Sequence, residues 1–146
     1  MSSYYIKKHF KTSEDYPREE GIHFSERAFS RAEKLAKSHG FLLYEAGESD
    51  TKGLKGAKAI YGYGKPVGEP YLVSEPRKAN GKLYPYAVEV IVEFELPNRF
   101  HGVDLEVLRE KYGIEMRPVL GGLIEIPKEV FEEIKQLLKQ DKLNFI

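Results

Sequence analysis

A chain of 146 residues has the usual length of one domain and can bury a core without staples. Its 41% hydrophobic and 32% charged residues exclude a disordered chain, and its net charge of zero excludes a uniformly basic nucleic-acid binder. The absence of cysteine excludes disulfides and thiolate metal sites and fits a reducing, cytoplasmic compartment; no apolar run approaches a membrane span, and residues 1–8 lack signal-peptide order.

In chain order, residues 3–10 read as a first strand with two tyrosines and an isoleucine. A polar turn follows and ends at Gly21. Ser25 then stands at a helix N-cap position, and Ala28, Phe29, Ala32, Leu35 and Ala36 recur on one helical face. Gly40 is expected to close that helix in the left-handed conformation. Residues 41–44 form a short apolar run, read as a buried strand, and residues 47–56 a polar loop. A strand resumes at Ala57. Gly62, Gly64 and Gly68 punctuate it, and glycines in a strand mark bulges or close backbone approach.

Residues 84–96 give the clearest strand. Tyr84, Tyr86, Val88, Val90, Val92, Phe94 and Leu96 alternate with a mostly acidic second face, which predicts one half-buried strand. It is expected to lie antiparallel to the strand that starts at Ala57. Asp104 can cap a short helix with Leu105 and Leu108 apolar and Gly113 as its stop. Pro127 opens a last helix with Val130, Phe131, Ile134, Leu137 and Leu138 on its core face. Strands and helices mix without regular βαβ alternation, so the class is α+β in one domain, residues 1–146.

Charge is unevenly spread. Residues 1–51 carry 8 basic and 9 acidic side chains, residues 52–82 carry 7 and 2, and residues 83–146 carry 8 and 12. The middle segment is therefore the basic one, at +5. A local basic patch can engage phosphates on a neutral chain. Tyr61, Tyr63, Tyr71, Tyr84 and Tyr86 lie in or beside it, and interleaved aromatics and cations suit base stacking. Tyrosines in strands also fill ordinary cores. The abundance of Lys and Glu, with two Met and no Cys, is a thermophile-like composition.

Other chemistries find little support. Residues 62–68 superficially fit G-x-G-x-x-x-G, but the spacing is off by one for a dinucleotide fingerprint, and Pro66 and Pro70 sit where a helix should begin. His9, His23, His39 and His101 have no metal-ligand spacing, and no serine sits in a nucleophile elbow. No cofactor and no metal are called for.

Several segments resemble the EVE domain. They are Ile60-Tyr61-Gly62-Tyr63-Gly64-Lys65-Pro66-Val67-Gly68-Glu69-Pro70-Tyr71, then Tyr84-Pro85-Tyr86-Ala87-Val88-Glu89-Val90, with Gly21-Ile22-His23-Phe24-Ser25-Glu26-Arg27 upstream and residues 126–134 downstream. The ordered set spans most of the chain. The resemblance implies a PUA-like, YTH-like mixed β-barrel flanked by helices, closed or nearly so. It also implies an aromatic-lined pocket that accepts a modified or flipped base of DNA or RNA. Carried over by position, its walls are His23, Phe24 and Ser25 with the loop 74–84, including Arg77, Lys78 and Tyr84; Tyr5 and Lys8 form its floor. The chain differs in having no Trp, and in Ala87 where the family usually has Arg. With no nucleophile–base pair or metal-ligand cluster in the sequence and no apolar run of membrane length, binding without catalysis and away from membranes is expected, alone or beside a partner nuclease or ATPase. Two alternatives stay open: a small-molecule binder or enzyme using His23 with Glu26 or Glu75, and a protein-interaction adaptor.

Overall fold

The computed structural model describes residues 3–11, 16–18, 20–49, 53–79, 81–117 and 119–143. The strands are β1 (Tyr4–Lys11), β2 (Ile22–Phe24), β3 (Gly40–Ser49), β4 (Ala59–Pro66), β5 (Tyr71–Ala79), β6 (Lys82–Val88), β7 (Val90–Glu95), β8 (Val103–Asp104) and β9 (Leu123–Ile126). The helices are α1 (Phe29–Ala36), α2 (Leu105–Tyr112) and α3 (Lys128–Leu143). Short 3-10 turns occupy Glu26–Ala28, Arg99–His101 and Leu120–Gly122. The class is α+β. Among the described residues no helix is long and apolar enough to cross a membrane.

Two sheets result. The larger has the order β7-β4-β3-β1-β9, with β8 also pairing β4; the smaller has the order β2-β6-β5. Strand β1 runs parallel to β3, Tyr4 opposite Gly40, and antiparallel to β9, Tyr4 opposite Ile126. Both edges of β1 are paired and both faces are covered. Its even residues Tyr4 and Ile6 join a core with Leu108 of α2 and Phe131, Ile134 and Leu138 of α3. Tyr5 joins a second core with Phe24, Leu35 of α1, Phe41, Tyr61 and Val88. The larger sheet is thus packed by α2 and α3 on one side, and by α1 and the smaller sheet on the other.

Some expectations change. The described ladders form two sheets and do not close into a ring, so of the closed or nearly closed barrel expected, full closure is not formed among the described residues. The strand expected over residues 84–96 is divided at Glu89. Its first part, β6, pairs β2 and β5, and its second, β7, pairs β4 antiparallel. Its apolar face is divided too. From Gly64↔Val92 to Tyr63↔Phe94, β7 advances two residues while β4 advances one. That bulge turns Phe94 to the first core, while Val90 and Val92 pack on the second. The close approach expected of β4's glycines is present: a Cβ on Gly64 would fall on the Ile91 carbonyl oxygen. Gly40 does not cap α1. It begins β3, where a Cβ would lie 3.0 Å from the Phe131 ring. Ser25 precedes a 3-10 turn and makes no side-chain cap, whereas the Asp104 carboxylate accepts from Val107 N at 3.0 Å as expected. The loop expected over residues 74–84 is largely the β5–β6 hairpin.

Candidate functional site

The odd residues of β1 continue past Tyr5 into the space between the sheets, and there the side chains become polar. Lys7 is 6% exposed. Its Nζ donates to the Lys8 carbonyl at 2.9 Å and lies 5.2 Å from the centre of the Phe24 ring. Gly122, at φ +65°, makes room beside it, since a Cβ there would come within 3.0 Å of Nζ and fall on the Lys8 carbonyl. Among the described residues no carboxylate pairs with this ammonium. Burial pushes its pKa down to about 7.

Two residues further along, His9 is locked as a neutral ring. Its Nδ1 lies 2.9 Å from the Phe10 carbonyl, which can only accept, so Nδ1 carries the proton. Nε2 therefore accepts from the Tyr61 hydroxyl at 2.7 Å. Burial holds the imidazole pKa down at about 3. The Tyr16 ring stacks on it, centroids 3.8 Å apart at 19°. Tyr61 reaches His9 because of a second irregularity: from Leu43↔Gly62 to Tyr44↔Ile60, β4 carries one residue more than β3, and that residue is Tyr61.

A buried ion pair closes this end of the layer. Glu45 is 1% exposed. Its Oε1 accepts from Ala57 N at 3.0 Å, and its Oε2 accepts from Arg99 Nη1 at 2.6 Å. Arg99 Nη2 donates to Glu95 Oε1 at 2.9 Å and to the Tyr16 carbonyl at 3.1 Å. The guanidinium lies 4.0 Å from the centre of the Tyr61 ring. Glu45 and Arg99 therefore satisfy each other; among the described residues Lys7 has no such partner.

The residues picked out by position fall into two groups. Tyr5 and Phe24 are buried in the second core, beside Lys7, and strand alternation puts Tyr84 on the face of β6 that carries Tyr86 and Val88. Burial raises the Tyr84 phenol pKa. Lys8 points to the opposite face of β1, where its Nζ approaches the Met116 carbonyl at 3.4 Å. His23 alternates with Ile22 and Phe24 along β2 and pairs instead with Glu20, Nε2 to Oε2 3.0 Å. Burial lowers its pKa, and Glu20 partly offsets this. Ser25 is half-buried at the start of the 3-10 turn. Arg77 stands opposite Tyr84 in the β5–β6 register, but its side chain lies outside the described residues; Lys78, opposite Leu83, is exposed. Tyr5, Phe24 and Tyr84 thus face the inter-sheet layer, and Lys8 and His23 do not.

Lys7, His9, Tyr16 and Arg99 were not singled out as site residues from the sequence. The parity of β1 could have found two of them: Tyr5, Lys7 and His9 share one side of the strand, and Tyr4, Ile6, Lys8 and Phe10 the other. An open cleft of about 490 Å³ lies elsewhere, along β9, lined by Ile114, Glu115, Arg117, Leu123 and Glu125 among others. The chain matches no model of a known protein family and no curated protein.

Proposed function

We propose that the chain is a nucleic-acid-binding module of the PUA-like, EVE type, taking a single-stranded or flipped base between its two sheets. The observation that carries this reading is Lys7, a buried ammonium with no carboxylate partner among the described residues, lying over the Phe24 ring and two residues along β1 from the stacked pair of His9 and Tyr16. A cation without a counter-ion beside flat π surfaces suits a ligand that is aromatic and anionic at once. The β5–β6 hairpin adds exposed Lys78 and Lys82, in the basic segment 52–82 of the sequence, for backbone phosphates. The reading is of binding without turnover, in DNA or RNA, with or without a modified base. Both ring nitrogens of His9 are already engaged, which suits a platform and not a proton carrier.

The test is fluorescence anisotropy with modified and unmodified DNA and RNA oligonucleotides at two salt concentrations. Binding is expected to weaken steeply with salt, and Lys78→Ala or Arg77→Ala to reduce the salt slope by about one for each phosphate left without its cation. Phe24 is 1% exposed, so Phe24→Ala reports on folding before it reports on ligand. Absence of binding to every oligonucleotide at low salt, or binding indifferent to salt, overturns the reading.

A further inference from the structure

We propose that Tyr16 occupies a nucleobase-sized stacking site on the face of His9, and that a flat heteroaromatic ring must displace it to bind. The inference rests on the nucleic-acid reading above and adds to it a site that the chain holds closed with its own side chain.

The platform comes first. His9 uses both ring nitrogens within its plane, one towards Phe10 and one towards Tyr61, so only its face is left to offer. That face is neutral and rigidly oriented. It suits an uncharged planar ring and gives no purchase to an anion.

The present occupant fits as a stacked ring and not otherwise. Its centroid separation of 3.8 Å and tilt of 19° are those of one flat ring laid on another. Its hydroxyl, however, is buried and makes no hydrogen bond among the described residues. A buried polar atom without a partner is destabilising and calls for an explanation. Tyr84 and Tyr61 stand within electrostatic reach of that hydroxyl. A nucleobase on the same face would bring edge donors and acceptors to those phenols.

The occupant can also leave without unpairing a strand. Tyr16 belongs to no helix or strand ladder. Its carbonyl is held by Arg99 Nη2 at 3.1 Å, and the next anchor along the chain is the bridge between Arg18 and Gly21. Releasing the ring breaks its stack on His9 and its packing against the second core, and leaves the strand pairing of both sheets intact.

Tyr16→Ala, Tyr16→Phe and the wild type are compared by NMR of the His9 ring protons, with adenosine, N6-methyladenosine, cytidine and p-cresol as probes. In Tyr16→Ala, p-cresol and at least one nucleoside are expected to shift the His9 signals upfield, the nucleoside binding about tenfold tighter than to wild type. Tyr16→Phe keeps the ring and loses only the hydroxyl, so its nucleoside affinity should not exceed that of wild type. The proposal fails if Tyr16→Ala binds p-cresol but no nucleoside, or if nucleosides bind it no better than wild type. It fails equally if Tyr16→Phe binds nucleosides as tightly as Tyr16→Ala does. Should Tyr16→Ala not fold, Tyr16→Phe and wild type still decide: a tighter nucleoside complex with Tyr16→Phe overturns the proposal, and displacement of the Tyr16 ring from His9 in wild type at high nucleoside concentration supports it. Wild type that binds no oligonucleotide, with Tyr16→Ala that stacks nucleosides, would sink the nucleic-acid reading and leave this site standing. Oligonucleotide binding unimproved by Tyr16→Ala would do the reverse.

Discussion

Lys7 and His9 are bases whose folded forms give up protons more readily than their unfolded forms. Lys7 titrates at about 7 when folded, against 10.5 for an unburied lysine. Between those values the unfolded chain binds the extra proton, so stability rises with pH across that window. Below it both states are charged and the native state bears the whole cost of burying the ammonium. Lys7→Met should therefore be the more stable protein at pH 6, by about 1–4 kcal/mol, with the gap narrowing by pH 9. Denaturant unfolding at the two pH values checks this, and a pH-independent difference would count against it. His9 slopes the same way in an acid window, from 6.5 down to about 3, where stability is lost as pH falls. Tyr61→Phe leaves His9 Nε2 buried without its donor and should cost about 1–3 kcal/mol, read in the same experiment. At this scale the sequence was only half legible. Adjacent lysines at 7 and 8 look equivalent as letters, but a period of two sends one into the inter-sheet layer and the other to the opposite face.

Strand β5 shows why some elements escaped reading and others did not. It carries Pro76 and several charges, which argue against a central strand, yet among the described residues it pairs only with β6, at the edge of the small sheet, where proline is tolerated. Strands β2 and β9, at 3 and 4 residues, are too short to show a period. Helices α2 and α3 were readable because their caps and apolar stripes are local. The alternation over residues 84–96 was real, but a bulge divides its apolar side between two cores, and pairing of that kind is invisible to a pattern counted along one strand. Gly64 sits at that bulge. Gly64→Ala should cost about 1–3 kcal/mol as its methyl group meets the Ile91 carbonyl, and should speed amide exchange along β7. Unchanged exchange there would mean that the bulge tolerates a side chain.

Across the whole molecule, pattern sufficed for the α+β class and for the core faces of its helices, while the site depends on contacts that no local pattern encodes: Tyr16 on His9, and Arg99 on Glu45 across 54 residues. Long-range pairing also governs the large sheet. Its strand β1 has β3 on one side, and on the other β9, which begins only at Leu123. Removal of residues 123–143 would strip β9 and the Phe131, Ile134 and Leu138 side chains from the first core, and the truncated chain is expected to lack a cooperative unfolding transition in circular dichroism. The same order matters during synthesis. A ribosome releases β1 well ahead of β9, since the strand that seals its free edge follows more than a hundred residues later. Until then a tyrosine-rich strand travels with one row of backbone amides and carbonyls open to any neighbouring chain. The protein's exposure to misassembly is thus set by elongation time, and slowing translation ahead of Leu123 should lower the soluble yield without altering the finished fold.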